Sequence, residues 1–71
     1  MKFILTIWVC SFLGGQKCLP PIQSPIMYDS WYECSRAAHQ ESVKIMSKLG
    51  YIVVNKDQIA MKYRCKKASS I

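Results

Sequence analysis

Seventy-one residues, a formal charge of +6, 51% hydrophobic content and four cysteines describe one small basic domain. A chain this short buries too little surface to rest on a core alone, so a covalent or oligomeric staple is expected. One small domain at most is expected from this length, and the apolar run falls short of the roughly 20 residues a membrane-crossing helix needs.

Met1-Lys2 followed by the apolar run Phe3–Leu13 has the layout of a secretory signal, with Gly14-Gly15 as small residues for cleavage. Residues 1–15 are therefore read first as a signal segment. The same residues also fit a buried strand, Ile4–Cys10, because periodicity does not separate a short apolar run from one. An uncleaved membrane-associated segment is the third reading. A lipoprotein signal is excluded, since Gln16-Lys17 stand before Cys18 where a small residue is required. Residues 16–28 carry Pro20, Pro21 and Pro25, which fix φ and remove backbone donors. An extended, polyproline-like lead-in is expected there, acting as a stiff linker in preference to a docking ligand.

Ser30-Trp31-Tyr32-Glu33 fits a capping box, and Asp29 adds negative charge at the positive end of a helix dipole. At 100° per residue Trp31, Cys34, Ala38, Ser42, Ile45 and Leu49 fall on one stripe, with Arg36, Gln40, Lys44 and Ser47 opposite. A helix is thus predicted from Ser30 to Leu49. Beyond it, two endings compete. Gly50 is a natural residue to stop on, with Tyr51–Val54 then a short strand. Alternatively the helix runs through Gly50 to about Asn55, at about 1 kcal/mol relative to Ala. Asn55-Lys56-Asp57 has turn chemistry. Gln58–Lys66 then alternates, Ile59, Met61, Tyr63 and Cys65 facing one way and Ala60, Lys62, Arg64 and Lys66 the other. Residues 68–71 read as a frayed tail.

The cysteines arbitrate between the endings. Cys34 lies near the start of the helical stripe and Cys65 near the end of the strand's apolar face, and a disulfide needs their Cα atoms within about 7 Å. A hairpin of 51–54 with 58–65 would leave the two sulfurs some 30 Å apart. A helix continued to Asn55 lets eight strand residues cover roughly 25–30 Å back to Cys34. The long helix with one returning strand is preferred, bridged by Cys34 and Cys65. With residues 1–15 removed, Cys10 is lost and Cys18 is left as an odd thiol, free for a partner or an alternative mate for Cys34.

Cys10-Ser11, Cys18-Leu19-Pro20-Pro21, Tyr32-Glu33-Cys34, Glu41-Ser42, Gly50, Val54-Asn55 and Tyr63-Arg64-Cys65, in this order and spacing, resemble short uncharacterised proteins encoded by marine bacteriophages and related uncultured viruses. The resemblance covers most of the chain and implies a viral origin and a shared cysteine framework; it brings no activity. Where those proteins carry Gly-Tyr this chain has Ala38-His39, and where they carry charged residues it has Tyr51-Ile52-Val53.

No motif for chemistry emerges. His39 is the single histidine, so an exposed or edge position is expected over a ligand or base. The cysteine intervals of 8, 16 and 31 residues match neither zinc-ligand nor C-x-x-C redox spacing. Cys34 and His39 lie on different helical faces, which argues against a cysteine nucleophile. No enzyme activity, metal, cofactor or small-molecule substrate is expected. Lys62, Arg64, Lys66 and Lys67, with Lys56, Tyr51 and Tyr63 nearby in sequence, form a candidate basic contact face. The expectation is a small α+β domain, residues 29–67, stapled by a disulfide and preceded by the apolar segment. It would act by contact with a protein or the cell envelope after export to the periplasm or envelope. The alternative is a protein of the host cytoplasm that keeps its N-terminal strand and binds nucleic acid or an acidic host protein.

Overall fold

Phe3–Ser11 forms a nine-residue strand, β1, and it alone among the described strands is paired along both edges. The computed structural model describes residues 2–68. Along one edge of β1 runs β4 (Ile59–Lys67), antiparallel and in unbroken register from Phe3↔Lys67 to Ser11↔Ile59. Along the other edge lie β2 (Lys17–Cys18), opposite residues 10–11, and β3 (Ile22–Tyr28), opposite residues 3–7. The two short strands follow one another down the same side, so four antiparallel strands make a sheet three strands wide. The segment expected to be a signal is thus the central strand of the sheet, as its alternative reading had it. A strand buried on one face and half-covered on the other needs apolar residues at nearly every position, which is why it imitates a signal's apolar run.

Gly14 and Gly15, expected at a cleavage site, instead turn the chain from β1 into β2, both at positive φ. The lead-in 16–28 is extended as expected, but it joins the sheet as an edge. Pro25 is accommodated because the β1–β3 register slips between Ile4 and Thr6, whose partners are Met27 and Gln23. The proline sits in the unpaired stretch, where its missing N–H removes no ladder bond.

The capping box closes as the sequence implies: the Ser30 hydroxyl accepts from the Glu33 N–H at 3.2 Å. Its own proton goes to Glu33 Oε1 at 3.1 Å, so the carboxylate reaches the cap's hydroxyl, where the backbone N–H was expected. From there α1 (Trp31–Leu49) runs across one face of the sheet. Its stripe delivers Cys34 and Ala38 into the core beside Leu5, Ile7 and Cys65, with Phe3, Tyr28, Ile45, Met61 and Tyr63 packed around them. Small side chains at 34 and 38 let the helix lie close on the strands, and the larger residues fill in at the sides.

The predicted rod is corrected at one point. It breaks at Gly50 (φ 90, ψ 162), a conformation L-residues rarely adopt, and resumes as α2 (Tyr51–Asp57). The Gly50 N–H closes α1 on the Met46 carbonyl, and the Val54 N–H opens α2 on the Gly50 carbonyl. Helix therefore continues past Asn55 through the expected turn residues to Asp57. The reversal falls on Gln58, in the left-handed region at φ 51. From there β4 returns along β1, and Cys65 bonds to Cys34. Ala68, expected in the tail, donates to the Lys2 carbonyl at 2.8 Å. Met1 of the expected signal and tail residues 69–71 lie outside the described residues.

Candidate contact face on the open side of the sheet

Because β1 and β4 pair without a slip, every direct pair shares a face, and the faces alternate along the strands. Leu5↔Cys65 and Ile7↔Tyr63 point to α1. Ile4↔Lys66, Thr6↔Arg64 and Trp8↔Lys62 point the other way. From the β3 edge, Met27 and Gln23 join the same side opposite Ile4 and Thr6. The open face therefore carries three cations in file on β4, an Ile-Thr-Trp row on β1 and two uncharged side chains on β3. The Lys62 ammonium lies 5.5 Å from the Trp8 ring centroid, a cation–π contact that holds both in place.

Three of the expected basic residues, Lys62, Arg64 and Lys66, are brought together here and are exposed. Lys67 is not. It stands opposite Phe3, whose side chain packs on the helix-side core, so period two assigns it to the other face. Neither ion pair among the described residues uses the three cations: Lys2 is bonded to Asp29, and Lys44 lies 3.5 Å from Glu41. The four acidic residues sit at the start of α1 (Asp29, Glu33), within α1 (Glu41) and at the end of α2 (Asp57). Among the described residues, the open face thus holds positive charge without an ion pair.

Both disulfides belong to the scaffold that carries this face, Cys34–Cys65 on the helix side and Cys10–Cys18 at the end of the row that holds Trp8. Cys34–Cys65, with Cα atoms 6.1 Å apart, pins α1 to β4 as the chain geometry required. Cys10–Cys18 joins the directly opposed pair of the β1–β2 ladder. The odd-thiol expectation for Cys18 is accordingly corrected: retaining β1 supplies its mate, and among the described residues no cysteine is free.

His39 is exposed and off the core stripe, with its ring edge-on to Tyr63 at 5.4 Å. Its Nδ1 lies 2.8 Å from the Ser35 carbonyl, and the Tyr63 hydroxyl lies 2.9 Å from Ser35 Oγ. With Nδ1 donating to that carbonyl, the ring is held as a packing surface for the strand tyrosine. No carboxylate takes part in these contacts. Alternation along β4 marks Tyr63 as inward-facing, but no local pattern marks His39 and Ser35 as its partners. Among the described residues no group of three His, Cys, Asp or Glu side chains is placed to hold a metal ion. No helix among them is long and apolar enough to cross a membrane.

These features define a small disulfide-stapled α+β domain with one sheet face covered by helix and the other presenting an aromatic among cations. Comparison with known proteins finds no family model, no curated relative and no solved structure that matches the chain.

Proposed function

We propose that this chain is a non-enzymatic contact protein of the cell envelope, whose open sheet face recognises an acidic protein partner. The single observation that supports this most is the file Lys62, Arg64 and Lys66, exposed on a face that carries no carboxylate among the described residues. Cations left without internal partners raise the local potential, steering and orienting an acidic surface. The two disulfides are consistent with an oxidising location, and the likeness to phage-encoded proteins favours a viral accessory role. A second reading, binding of single-stranded nucleic acid, draws on Trp8, which stands on the central strand where a base would stack beside the file of cations on β4.

The test follows binding of polyglutamate and separately of oligothymidylate by titration calorimetry, with fluorescence read in the Trp31→Phe variant, where Trp8 alone reports. The first reading expects salt-dependent binding of polyglutamate, lost in K62E/R64E/K66E, with little change when Trp8 becomes Leu. The second expects quenching of Trp8 by oligothymidylate and loss of that binding in Trp8→Leu. Binding of neither ligand at low salt would overturn both.

A further inference from the structure

The end of the domain where β1 leaves the sheet and β4 enters it carries apolar surface that the fold does not use. Helix α2 buries none of its seven residues, although four of them are Tyr51, Ile52, Val53 and Val54. Tyr51 is 84% and Ile52 77% exposed, and Val43, about two helical turns earlier in α1, is 62% exposed. Between α1 and α2 the break at Gly50 opens a groove lined by Val43, Met46, Tyr51 and Val54. A second exposed apolar segment is tied to the C-terminal end of α2. Phe12 and Leu13 at the β1–β2 turn are exposed, and two bonds tie this turn to the end of α2: Ser11 Oγ to the Asp57 carbonyl and the Phe12 N–H to the Gln58 carbonyl. Isolated apolar residues on a surface need no explanation, whereas a cluster from two segments marks a contact.

The charges around the cluster select the occupant. Around the cluster stand Lys48, Lys56 and, at the hairpin, Lys17, with Lys44 beside Glu41 and Asp57 at the end of α2, so that lysines outnumber carboxylates. Two copies meeting here would bring these lysines against one another, which disfavours self-association. An anionic lipid surface satisfies both halves of the pattern. Its headgroups neutralise the lysines, the acyl boundary accepts Ile52, Val53 and Leu13, and Tyr51 has the amphipathic ring suited to the interface between them. We propose that the α2 tip, together with the β1–β2 turn, inserts shallowly into the headgroup region of anionic bilayers. The chain lies on the membrane by this end, leaving the open sheet face to a separate partner. The inference stands apart from the sheet-face reading, because different residues carry each.

Vesicle flotation tests it, with phosphatidylglycerol–phosphatidylcholine vesicles against phosphatidylcholine alone. A Tyr51→Trp reporter in a W8F/W31F background adds a depth signal from brominated lipid. Co-flotation is expected with anionic vesicles only, with a blue-shifted, bromine-quenched Trp emission. Ile52→Asp should weaken binding roughly ten- to hundredfold, since it removes a buried apolar side chain. Ile52→Ser should weaken it less, and both variants should keep native circular dichroism because the side chain supports no core contact. K62E/R64E/K66E should keep the bromine quenching. Binding that ignores Ile52, an unquenched reporter, or a wild-type dimer that Ile52→Asp dissociates would overturn the proposal, the last by making a second copy the occupant.

Discussion

The two ends of α1 are built on opposite principles. Its first half drives Cys34 and Ala38 into the sheet, is bonded covalently to β4 and is tied to Tyr63 through Ser35. Its last turn and α2 bury no side chain, although Tyr51–Val54 is as apolar as any stretch of the helix. One end spends its hydrophobic residues on holding the fold together; the other leaves them outside. Stability in this protein is therefore concentrated around β1, β4 and the first three turns of α1, and the far end is free to be shaped by what it touches.

The largest effect that would break this asymmetry is loss of the central staple. Cys34→Ala with Cys65→Ala opens a loop whose ends are 31 residues apart, so urea denaturation should show a loss of about 3.5–4 kcal/mol. Leu5→Ala, a cavity at a fully buried position on the central strand, should cost about 3 kcal/mol by the same measurement. At the junction between the two ends, Gly50→Ala meets no neighbour within 4 Å, yet it must hold φ 90. It should cost about 1–2 kcal/mol through backbone strain alone.

The smallest effect belongs to the exposed pair that joins the start of β1 to the cap of α1. The hydrogen bond from Lys2, and then its charge, holds the Asp29 carboxyl below the ordinary carboxylate range. The same bond and charge raise Lys2. A depressed carboxylate contributes stability above its unfolded pKa and loses it as pH falls through the folded value. A raised lysine contributes below its unfolded pKa and loses it as pH rises through the folded value. Asp29→Asn should therefore narrow the gap between urea midpoints at about pH 7 and about pH 2, slightly, because both groups are solvated.

Much of the structured half was legible because its signals are local. Ser30 and Glu33 mark where the helix begins, and Ile59, Met61, Tyr63 and Cys65 mark the strand's inner face. Rise per residue was then enough to bring Cys65 to Cys34. The role of Phe3–Ser11 was not decidable locally, since a central strand and a secretory signal ask for the same side chains, and the mate of Cys18 was lost with it. The three prolines spoke against a sheet, but one register slip accommodates Pro25 at an edge. The helix–helix break was hidden because Gly50 permits either a stop or a continuation, and only a positive φ in three dimensions distinguishes a hinge. Of the basic set, alternation identified Lys62, Arg64 and Lys66; Lys67 was included by adjacency, which a strand does not respect.

The account rests on Phe3–Ser11 being the strand to which all other strands pair. Disulfide mapping with N-terminal sequencing of protein purified from its native host, kept oxidised, tests this directly. The expected result is a chain that retains Phe3–Ser11, with Cys10 linked to Cys18 and Cys34 to Cys65. A mature chain beginning after Gly15, with Cys18 free or linked to Cys34, would contradict it.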